Sequence, residues 1–482
     1  TQEDFSPLDP DGRVVRFYTC GPTVYDYAHV GNFRAFLNAD VLRRTLEYLG
    51  YEVRHVMNIT DVGHMTDDAN PDGGGEDKME QASRRLQEAK KSGTLPEGVD
   101  LDPGDPWAIA SFYADAFIED ARQLGMKVVE EARSCPELLP RPTEYIESMI
   151  DMVSQLVEDG HAYVGSDGVV YFDVASFPDY GRLSGNTLEE LRSGEGGRVD
   201  METQAVKRNP ADFMLWKPDP SHVMKWDSPW GTGYPGWHLE CSVMATALLG
   251  KGTDGQIDLH SGGEDNIFPH HECEIAQSRC ANDNDTFANY WIHNGFITIS
   301  SEKMSKSQGN ILKISDFKNK VSGQVLRLSL ISTHYKQPLD WNDKLLSESE
   351  KTINKWYESY TEVNKQVLIP ENYLSPLYDD LNIPGYIANL HKLFEKSQKG
   401  SVKDKEIFVS ACNFIGLLSE SKNSWDQFKQ SKSMISDEEI AQKISERNKA
   451  RKNKDYKAAD KIRKELLDKG VLIEDKDDKT LW

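Results

Sequence analysis

The fold is decided by residues 13–62, which read RVVRFYTCGPTVYDYAHVGNFRAFLNADVLRRTLEYLGYEVRHVMNITDV. Alternating apolar and polar residues over 13–19 predict a β-strand. Apolar residues over 33–49 recur at helical spacing, and they precede Gly50, a typical helix C-cap. Residues 52–62 predict a second strand. A strand, a helix and a strand over this length form a βαβ unit, which predicts an α/β fold with a parallel sheet.

The start of the predicted helix carries the residues AHVGN at positions 28–32. Nucleotide phosphates dock at this place in parallel α/β sheets, because the helix N-terminus presents backbone N–H groups. His29 and Asn32 can hydrogen-bond a triphosphate there, and Gly31 permits close approach. No G-x-x-x-x-G-K-[ST] sequence occurs, so this is not a P-loop protein. Alone, AHVGN is a weak signal that an ordinary polar helix cap also explains.

A candidate metal site begins with PHHECE, residues 269–274. His270 and Glu274 are four residues apart, so they share one face of a helix and form half of a tetrahedral zinc site. On spacing alone, a solvated helix start is the commoner explanation. Thiolates would complete the site, and two cysteines are placed to supply them: Cys20 after the first strand and Cys241 at a predicted helix entry. The other cysteines are predicted to be non-ligands: Cys135, Cys273, Cys280 and Cys412.

The segment KMSKS, residues 303–307, lies in a polar loop after an apolar strand. Lys303 and Lys306 in a flexible loop can neutralise a pyrophosphate leaving group. A solvated charged loop is the ordinary alternative for such a run.

Composition limits the protein class. Six cysteines with no C-x-x-C argue against a disulfide scaffold and a zinc ribbon. The net charge of -23 disfavours indiscriminate nucleic-acid binding but allows RNA binding through a local basic face. No apolar run is long enough to span a bilayer, and the first residues do not resemble a signal peptide. We therefore expect a cytoplasmic protein with reduced thiols and no membrane partner.

Other stretches differ in composition from the βαβ unit. Residues 66–106 are acidic and rich in Gly and Pro, which predicts a surface insertion with one charged helix near 76–91. Residues 127–225 predict an inserted domain with a strand pair. The remaining C-terminal predictions are amphipathic helices over 320–435, one basic helix over 446–470 and a short hairpin over 471–482.

AHVGN, KMSKS and their separation resemble the paired signatures of class I aminoacyl-tRNA synthetases. Further segments resemble the cysteinyl-tRNA synthetase family: TCGPTVYDYAHVGN, NITDVG, DFMLWKPDP, WDSPWGTGYPGWHLECS, SGGEDNIFPHHECEIAQS and EKMSKSQGN. The resemblance spans most of residues 14–345 outside the insertion and resumes near 447–482. It implies a Rossmann-like catalytic domain, an inserted α+β connective domain and a C-terminal α-helical tRNA-binding domain.

The resemblance also implies how the chain is divided. Residues 1–126 would hold the first half of the catalytic domain, 127–225 the connective domain, and 226–320 the second half with the zinc site and the KMSKS loop. The C-terminal part would comprise a stem-contact region over 321–345, a helical bundle over 346–435 and an anticodon-binding region over 436–482.

By motif position, the resemblance assigns roles to single residues. One zinc ion, held by Cys20, Cys241, His270 and Glu274, would bind the thiolate of the substrate cysteine and so distinguish it from serine. Residues around the amino acid would be Thr60, Trp237 and Asp265. ATP, accompanied by Mg²⁺, would be bound by His29, Gly31, Asn32 and Lys306, and the catalytic residues would be His29, Asn32, Lys303 and Lys306. The implied partners are L-cysteine, ATP and tRNA(Cys), and a monomer is expected.

Two alternatives stay open at this level. A ligase joining cysteine to an amino sugar, as in mycothiol synthesis, would share the zinc site and both signatures, but it would not need the basic C-terminal region or Trp482 for base stacking. A non-catalytic RNA-binding relative would have lost the ATP motifs, whereas His29, Lys303 and Lys306 are present. Three features depart from the family pattern: Asn32 stands where many members have His, Cys273 replaces a usual Asn, and the 66–106 insertion is longer.

Overall fold

The computed structural model describes residues 4–62, 77–93, 101–187, 206–299, 302–304, 309–318, 320–363, 367–432, 437–452, 455–468, 473–476 and 479–481, together with Leu95 and Val471. The strands are β1 Val14–Thr19, β2 Glu52–Met57, β3 Ala162–Val164, β4 Val170–Phe172, β5 Phe213–Pro218, β6 Gly233–Pro235, β7 Ile257–Gly263, β8 Ala288–Asn294, β9 Ile297–Ile299, β10 Glu302–Lys303, β11 Leu339–Trp341, β12 Glu474–Lys476 and β13 Lys479–Leu481.

The helices of the described residues follow the same chain order. They are α1 Val30–Tyr48, α2 Lys78–Ser92, α3 Pro106–Gln123, α4 Lys127–Glu131, α5 Ile146–Glu158, α6 Trp237–Leu249, α7 Glu272–Asn282, α8 Gly323–Leu330, α9 Asp343–Trp356, α10 Glu371–Tyr378, α11 Ile383–Lys399, α12 Val402–Phe414, α13 Lys422–Lys432, α14 Asp437–Lys452 and α15 Tyr456–Asp468. Within the described ranges, no helix is both long and apolar enough to cross a bilayer.

The predicted parallel sheet is confirmed. It has four strands in the order β2-β1-β7-β8, and all neighbouring pairs are parallel. β1 lies between β2 and β7, with Phe17 opposite His55 on one side and Leu259 on the other. The strand that follows β1 in the chain, β2, lies on one side of it, and β7 lies on the other side. This change of direction opens a crevice at the carboxyl ends of β1 and β7, which is where α/β sheets bind ligands.

A second, antiparallel sheet lies between β2 and β7 in the chain, in the order β3-β4-β5-β6. The predicted strand pair is confirmed as β3 and β4. Helix α5 packs one apolar face, with Met149, Val153 and Leu156, into a core that also contains Val243 of α6 and Cys273 of α7. Because α6 and α7 share this core with strands of the second sheet, that sheet holds the two helices in place.

The insertion contains the predicted charged helix as α2, but α2 is not purely a surface helix. Met79, Ala82 and Leu86 are buried in the main core, because their spacing places them on one face. Asp77 caps the helix by accepting hydrogen bonds from the backbone N–H groups of Met79 and Glu80. Residues 63–76, 94 and 96–100 of this region lie outside the described residues.

The predicted single basic helix over 446–470 is wrong, since α14 and α15 are separate helices. Asp455 caps α15 by accepting a hydrogen bond from the Ala458 N–H at 3.1 Å. Apolar side chains of both helices then pack together with two from the segment after α15, and one continuous helix would leave them exposed: Ile440 and Ile444 of α14, Leu466 of α15, and Val471 and Ile473. The predicted hairpin is confirmed as the antiparallel pair β12–β13.

Two buried arginines connect α1 to the rest of the chain. Arg34 donates hydrogen bonds to the carbonyl oxygens of Gly295 at 2.6 Å, Phe296 at 3.0 Å and His334 at 3.1 Å. These carbonyls flank β9 and β11, so Arg34 aligns α1 with the small sheet that leads into the KMSKS segment.

Arg327 of α8 is the second buried arginine and pairs with Asp40 of α1. It also donates to the carbonyl oxygens of Ile415, at 2.7 Å, and Leu124, at 2.9 Å. Burial alone would raise the pKa of Asp40, but Arg44 and Arg327 hold it well below its usual range. One side chain thus joins α1, the end of α3 and the C-terminal helices.

We expect Asp40→Asn to lower the free energy of unfolding by about 3–5 kcal/mol, because it leaves Arg327 buried without a carboxylate. The measurement is equilibrium urea unfolding at pH 7. The pKa of Asp40 is lowered on folding, so the pair stabilises above the unfolded-state pKa of about 3.9 and its contribution is lost as the pH falls below that value.

The matched control is Asp11→Asn, which removes an exposed pair with Arg13 and should change stability little. Equal effects of the two substitutions would contradict the structural role of Asp40.

Candidate metal and nucleotide site

Four predicted ligands from distant parts of the chain meet at the carboxyl end of the parallel sheet. Cys20 directly follows β1 and Cys241 lies on α6. His270 lies in the turn that precedes α7, and Glu274 lies in the first turn of α7. The Cys20 Sγ lies 3.7 Å from the Cys241 Sγ and 3.5 Å from Glu274 Oε1, and His270 Nε2 lies 3.0 Å from the same oxygen. All four side chains are buried, and their ligand atoms lie within 4.8 Å of one another.

The electrostatics of this cluster suit a divalent cation. Burial raises the pKa of both thiols, and for Cys20 the neighbouring Cys241 and Glu274 raise it further. Burial also raises the pKa of Glu274, but His260 and His270 outweigh it and the net shift is downward. A cation at this point would stabilise both thiolates and the carboxylate together, and two thiolates, an imidazole and a carboxylate are typical zinc donors. The residues therefore fit a metal ion.

A second group of possible ligands overlaps the first and was missed from the sequence. It consists of Cys20, His260, His271 and Glu274, also within 4.8 Å. His271 Nε2 lies 3.5 Å from the Cys20 Sγ, and His260 Nε2 lies 2.7 Å from Glu274 Oε2. The signals were present: His271 adjoins His270, and His260 is a polar residue in the buried strand β7.

Aromatic and histidine contacts orient the imidazoles of this site. The Trp237 ring stacks on His270 with centroids 4.5 Å apart, and His238 Nδ1 lies 2.9 Å from His270 Nδ1. On the other side, the Trp291 ring stacks on His260 at 4.6 Å. A contact at the second ring nitrogen fixes which nitrogen is available for a metal, so His238 directs His270 Nε2 towards Glu274.

Thr60, predicted to lie near the substrate, is connected to the cluster through Asn58. The Thr60 hydroxyl donates to Glu240 Oε2 at 3.0 Å and accepts from Asn58 Nδ2 at 2.9 Å. Asn58 Oδ1 lies 3.8 Å from the Cys241 Sγ and accepts the Gly21 N–H at 2.8 Å. A Cβ at position 21 would lie 1.8 Å from the Asn58 carbonyl oxygen, so only glycine permits this contact.

The remaining predicted substrate residue, Asp265, is exposed. It lies in the turn Glu264–Asn266, between the end of β7 and His270.

The nucleotide motif is a reciprocal cap at the start of α1. The Asn32 N–H donates to His29 Nδ1 at 3.2 Å, and the His29 N–H donates to Asn32 Oδ1 at 3.1 Å. Met304 of the KMSKS segment lies close to Gly31, because a Cβ at position 31 would be 3.1 Å from the Met304 methyl. The structure therefore brings Met304 next to the AHVGN motif at the start of α1.

The segment that follows KMSKS also contacts this helix start. The Val30 N–H donates to the Leu312 carbonyl at 2.9 Å, and His29 forms an isolated antiparallel bridge with Lys313. The backbone of Lys303 lies in β10, and Lys306 lies outside the described residues.

Comparisons with known proteins agree along the whole chain. Residues 6–351 match the family described as tRNA synthetases class I (C) catalytic domain, and residues 437–482 match the cysteinyl-tRNA ligase anticodon binding domain. The chain is 47% identical to the cysteine–tRNA ligase of Pelagibacter ubique (strain HTCC1062), over 100% of this chain and 96% of the relative. It is 40% identical to that of Afipia carboxidovorans, over 99% and 96%.

Solved structures show the same fold at low identity. The chain is similar to Mycobacterium tuberculosis methionyl-tRNA synthetase in complex with methionyl-adenylate, with a TM-score of 0.53 at 13% identity over 84% of this chain and 89% of that one. It is also similar to a LeuRS–tRNA–LeuAMS ternary complex from Agrobacterium radiobacter K84, with a TM-score of 0.53 at 12% identity over 85% and 84%.

We expect the protein to retain about one zinc ion per chain through dialysis, and Cys241→Ser to lose most of it, because a neutral hydroxyl replaces a thiolate ligand. Metal analysis of the dialysed proteins is the measurement. Cys135→Ser is the control, since Cys135 is exposed and outside the cluster. Equal zinc content in all three proteins would contradict the ligand assignment.

Proposed function

Because the chain belongs to the cysteine–tRNA ligase family of class I tRNA synthetases, we propose that it activates L-cysteine with ATP to cysteinyl-adenylate and transfers the cysteine to the 3′ end of tRNA(Cys). One observation carries the proposal: a buried group of thiols, imidazole and carboxylate lies at the same sheet edge as the capped start of α1. The first can recognise a thiol and the second a nucleotide.

Cys20, Cys241, His270 and Glu274 would hold zinc. When bound, zinc supplies a soft Lewis-acidic centre that accepts the substrate thiolate as a ligand. His260 would fix the Glu274 carboxylate through Oε2, leaving Oε1 directed at the cluster. His271 would then act in support, with its Nδ1 2.8 Å from His293 Nε2. Burial and the neighbouring histidines lower the pKa of His271, so it is neutral and adds no charge to the site.

The amino-acid position would lie between this cluster and the start of α1. Thr60 and Trp237 each adjoin the cluster, through Asn58 and through stacking on His270 respectively. Asp265 is a candidate partner for the substrate ammonium group, since its carboxylate lies on the turn that precedes His270. Together these groups would direct the substrate carboxylate towards the nucleotide.

In the activation step, a carboxylate oxygen of cysteine attacks the α-phosphorus of ATP and pyrophosphate leaves. His29, Gly31 and Asn32 would bind the nucleotide at the N-terminus of α1. Lys306, assisted by Lys303, would stabilise the negative charge of the phosphates, and Mg²⁺ would accompany ATP. The contact between Met304 and the start of α1 supports a position for the KMSKS segment beside the phosphates.

The transfer step needs tRNA. We propose that residues 1–126 and 226–320 form the catalytic domain and that 127–225 form the connective domain. The C-terminal part would contact the tRNA stem through 321–345, form a helical bundle over 346–435 and bind the anticodon through 436–482. An amino-sugar ligase would not need an anticodon-binding domain, and the match of residues 437–482 to one disfavours that alternative. We also propose a cytoplasmic monomer.

The test is cysteine-dependent ATP–pyrophosphate exchange followed by charging of a tRNA(Cys) transcript. We expect both activities, with kcat/KM in exchange favouring cysteine over serine by more than about 200-fold, the limit of discrimination by shape alone. Exchange without charging would contradict the tRNA ligase assignment. A cysteine preference within that limit would contradict recognition through a metal–thiolate bond.

A further inference from the structure

We propose that Asp26 positions the nucleotide end of the active site by pairing with Arg85 of α2 and Lys313, three residues that we call the Asp26 cluster. This gives helix α2 of the 66–106 insertion a role in ATP binding. The inference rests on the proposed function, since it concerns how that reaction's nucleotide site is held.

The two oxygens of one carboxylate each take a cation from a different part of the chain. Arg85 Nη1 donates to Asp26 Oδ2 at 3.2 Å, and Lys313 Nζ lies 3.1 Å from Asp26 Oδ1. Arg85 Nη2 also donates to the Tyr25 carbonyl oxygen at 2.6 Å. The guanidinium therefore holds both the side chain and the backbone of this loop, which an ammonium group could not do in the same geometry.

The loop that these residues hold connects the two halves of the site. Cys20 of the metal cluster lies before it, and His29 of the nucleotide motif lies after it. Between Val24 and Ala28 the loop forms no helix or strand, so side-chain contacts contribute to its path beyond the hydrogen bond from the Val24 N–H to the Thr60 carbonyl at 2.9 Å. Tyr27 packs edge-on against Tyr113 of α3 at 5.1 Å, which fixes one side of the loop.

Cations lie against both tyrosine rings of the loop. Lys313 Nζ is 4.8 Å from the Tyr27 ring centroid, and Lys78 Nζ, at the start of α2, is 5.0 Å from that of Tyr25. Such contacts favour one loop position, because a cation is attracted to the face of an aromatic ring. Helix α2 thus contacts the loop at two points, Lys78 and Arg85, two turns apart.

Lys313 makes the cluster relevant to catalysis. It bridges with His29 through the backbone, next to the hydrogen bond from the Val30 N–H to the Leu312 carbonyl. A shift of Asp26 would therefore move the strand-like contact that places His29. We class Arg85, Asp26 and Lys313 as positioning residues, since none of them needs to touch ATP for this effect.

The expected effect is modest because the cluster is partly exposed. The exposed side-chain fractions are 47% for Arg85, 28% for Asp26 and 31% for Lys313. We expect Arg85→Met to raise the KM for ATP about three- to fivefold and Asp26→Asn, which affects both cations, about tenfold. The KM for cysteine and the zinc content should stay within twofold of wild type, because the metal cluster is built from other residues.

The experiment is cysteine-dependent ATP–pyrophosphate exchange with these two variants, Arg85→Lys and a control. Arg85→Lys should restore part of the ATP affinity, since lysine can pair with Asp26 but cannot also donate to Tyr25 in the same way. Lys91→Met is the control, because it removes an exposed positive charge from the same helix. In an Asp26→Asn background, Arg85→Met should have a smaller effect than in wild type.

Two results would overturn the proposal. One is a KM for ATP within twofold of wild type in both variants. The other is a parallel loss of thermal stability and of affinity for both substrates, which indicates a structural role only. If wild type lacks exchange, the proposed function fails instead, and the Kd of ATP measured by calorimetry on the same variants then decides the inference by the same criteria.

Discussion

The pairing of Arg327 with Asp40 is the contact on which the relative placement of the helices depends. Asp40 lies in the middle of α1, the helix that begins at the nucleotide motif, and Arg327 reaches it from α8, 287 residues later. The N–H donors of a buried guanidinium need hydrogen-bond acceptors. The carbonyl oxygens of Leu124 and Ile415 accept from Arg327, which fixes both segments beside α1. The C-terminal helices are thereby tied to the catalytic sheet through α1.

The same helix also determines where the two halves of the proposed active site lie. Its N-terminus carries the reciprocal cap of His29 and Asn32, and Arg34, one turn later, holds the carbonyls that flank β9. Since β9 pairs with β10, which contains the backbone of Lys303, α1 aligns the two motifs that we propose bind the nucleotide. The candidate metal ligands are placed independently, by Cys20 at the end of β1 and by α6 and α7, which the inserted sheet supports.

Sequence reasoning worked where the signal was local or carried by an ordered motif. The βαβ unit, the strand pair β3–β4 and the C-terminal hairpin follow from periodicity over a few residues. The four proposed ligands were reached from ligand chemistry and family resemblance, and the structure brings their side chains within reach of one metal ion. The single basic helix failed because helical periodicity continues across Asp455, and only the packing of Ile444 against Leu466 requires the chain to turn there.

The sequence by itself determined the parallel sheet, the place of the AHVGN motif and the types of ligand available, because each depends on spacing within one element or on a local motif. Only the tertiary structure decided that His260 and His271 join the candidate metal ligands, and that Asp26 meets both Arg85 and Lys313. These contacts join residues far apart in the chain. Their formation depends on how whole elements pack, and no local periodicity records that.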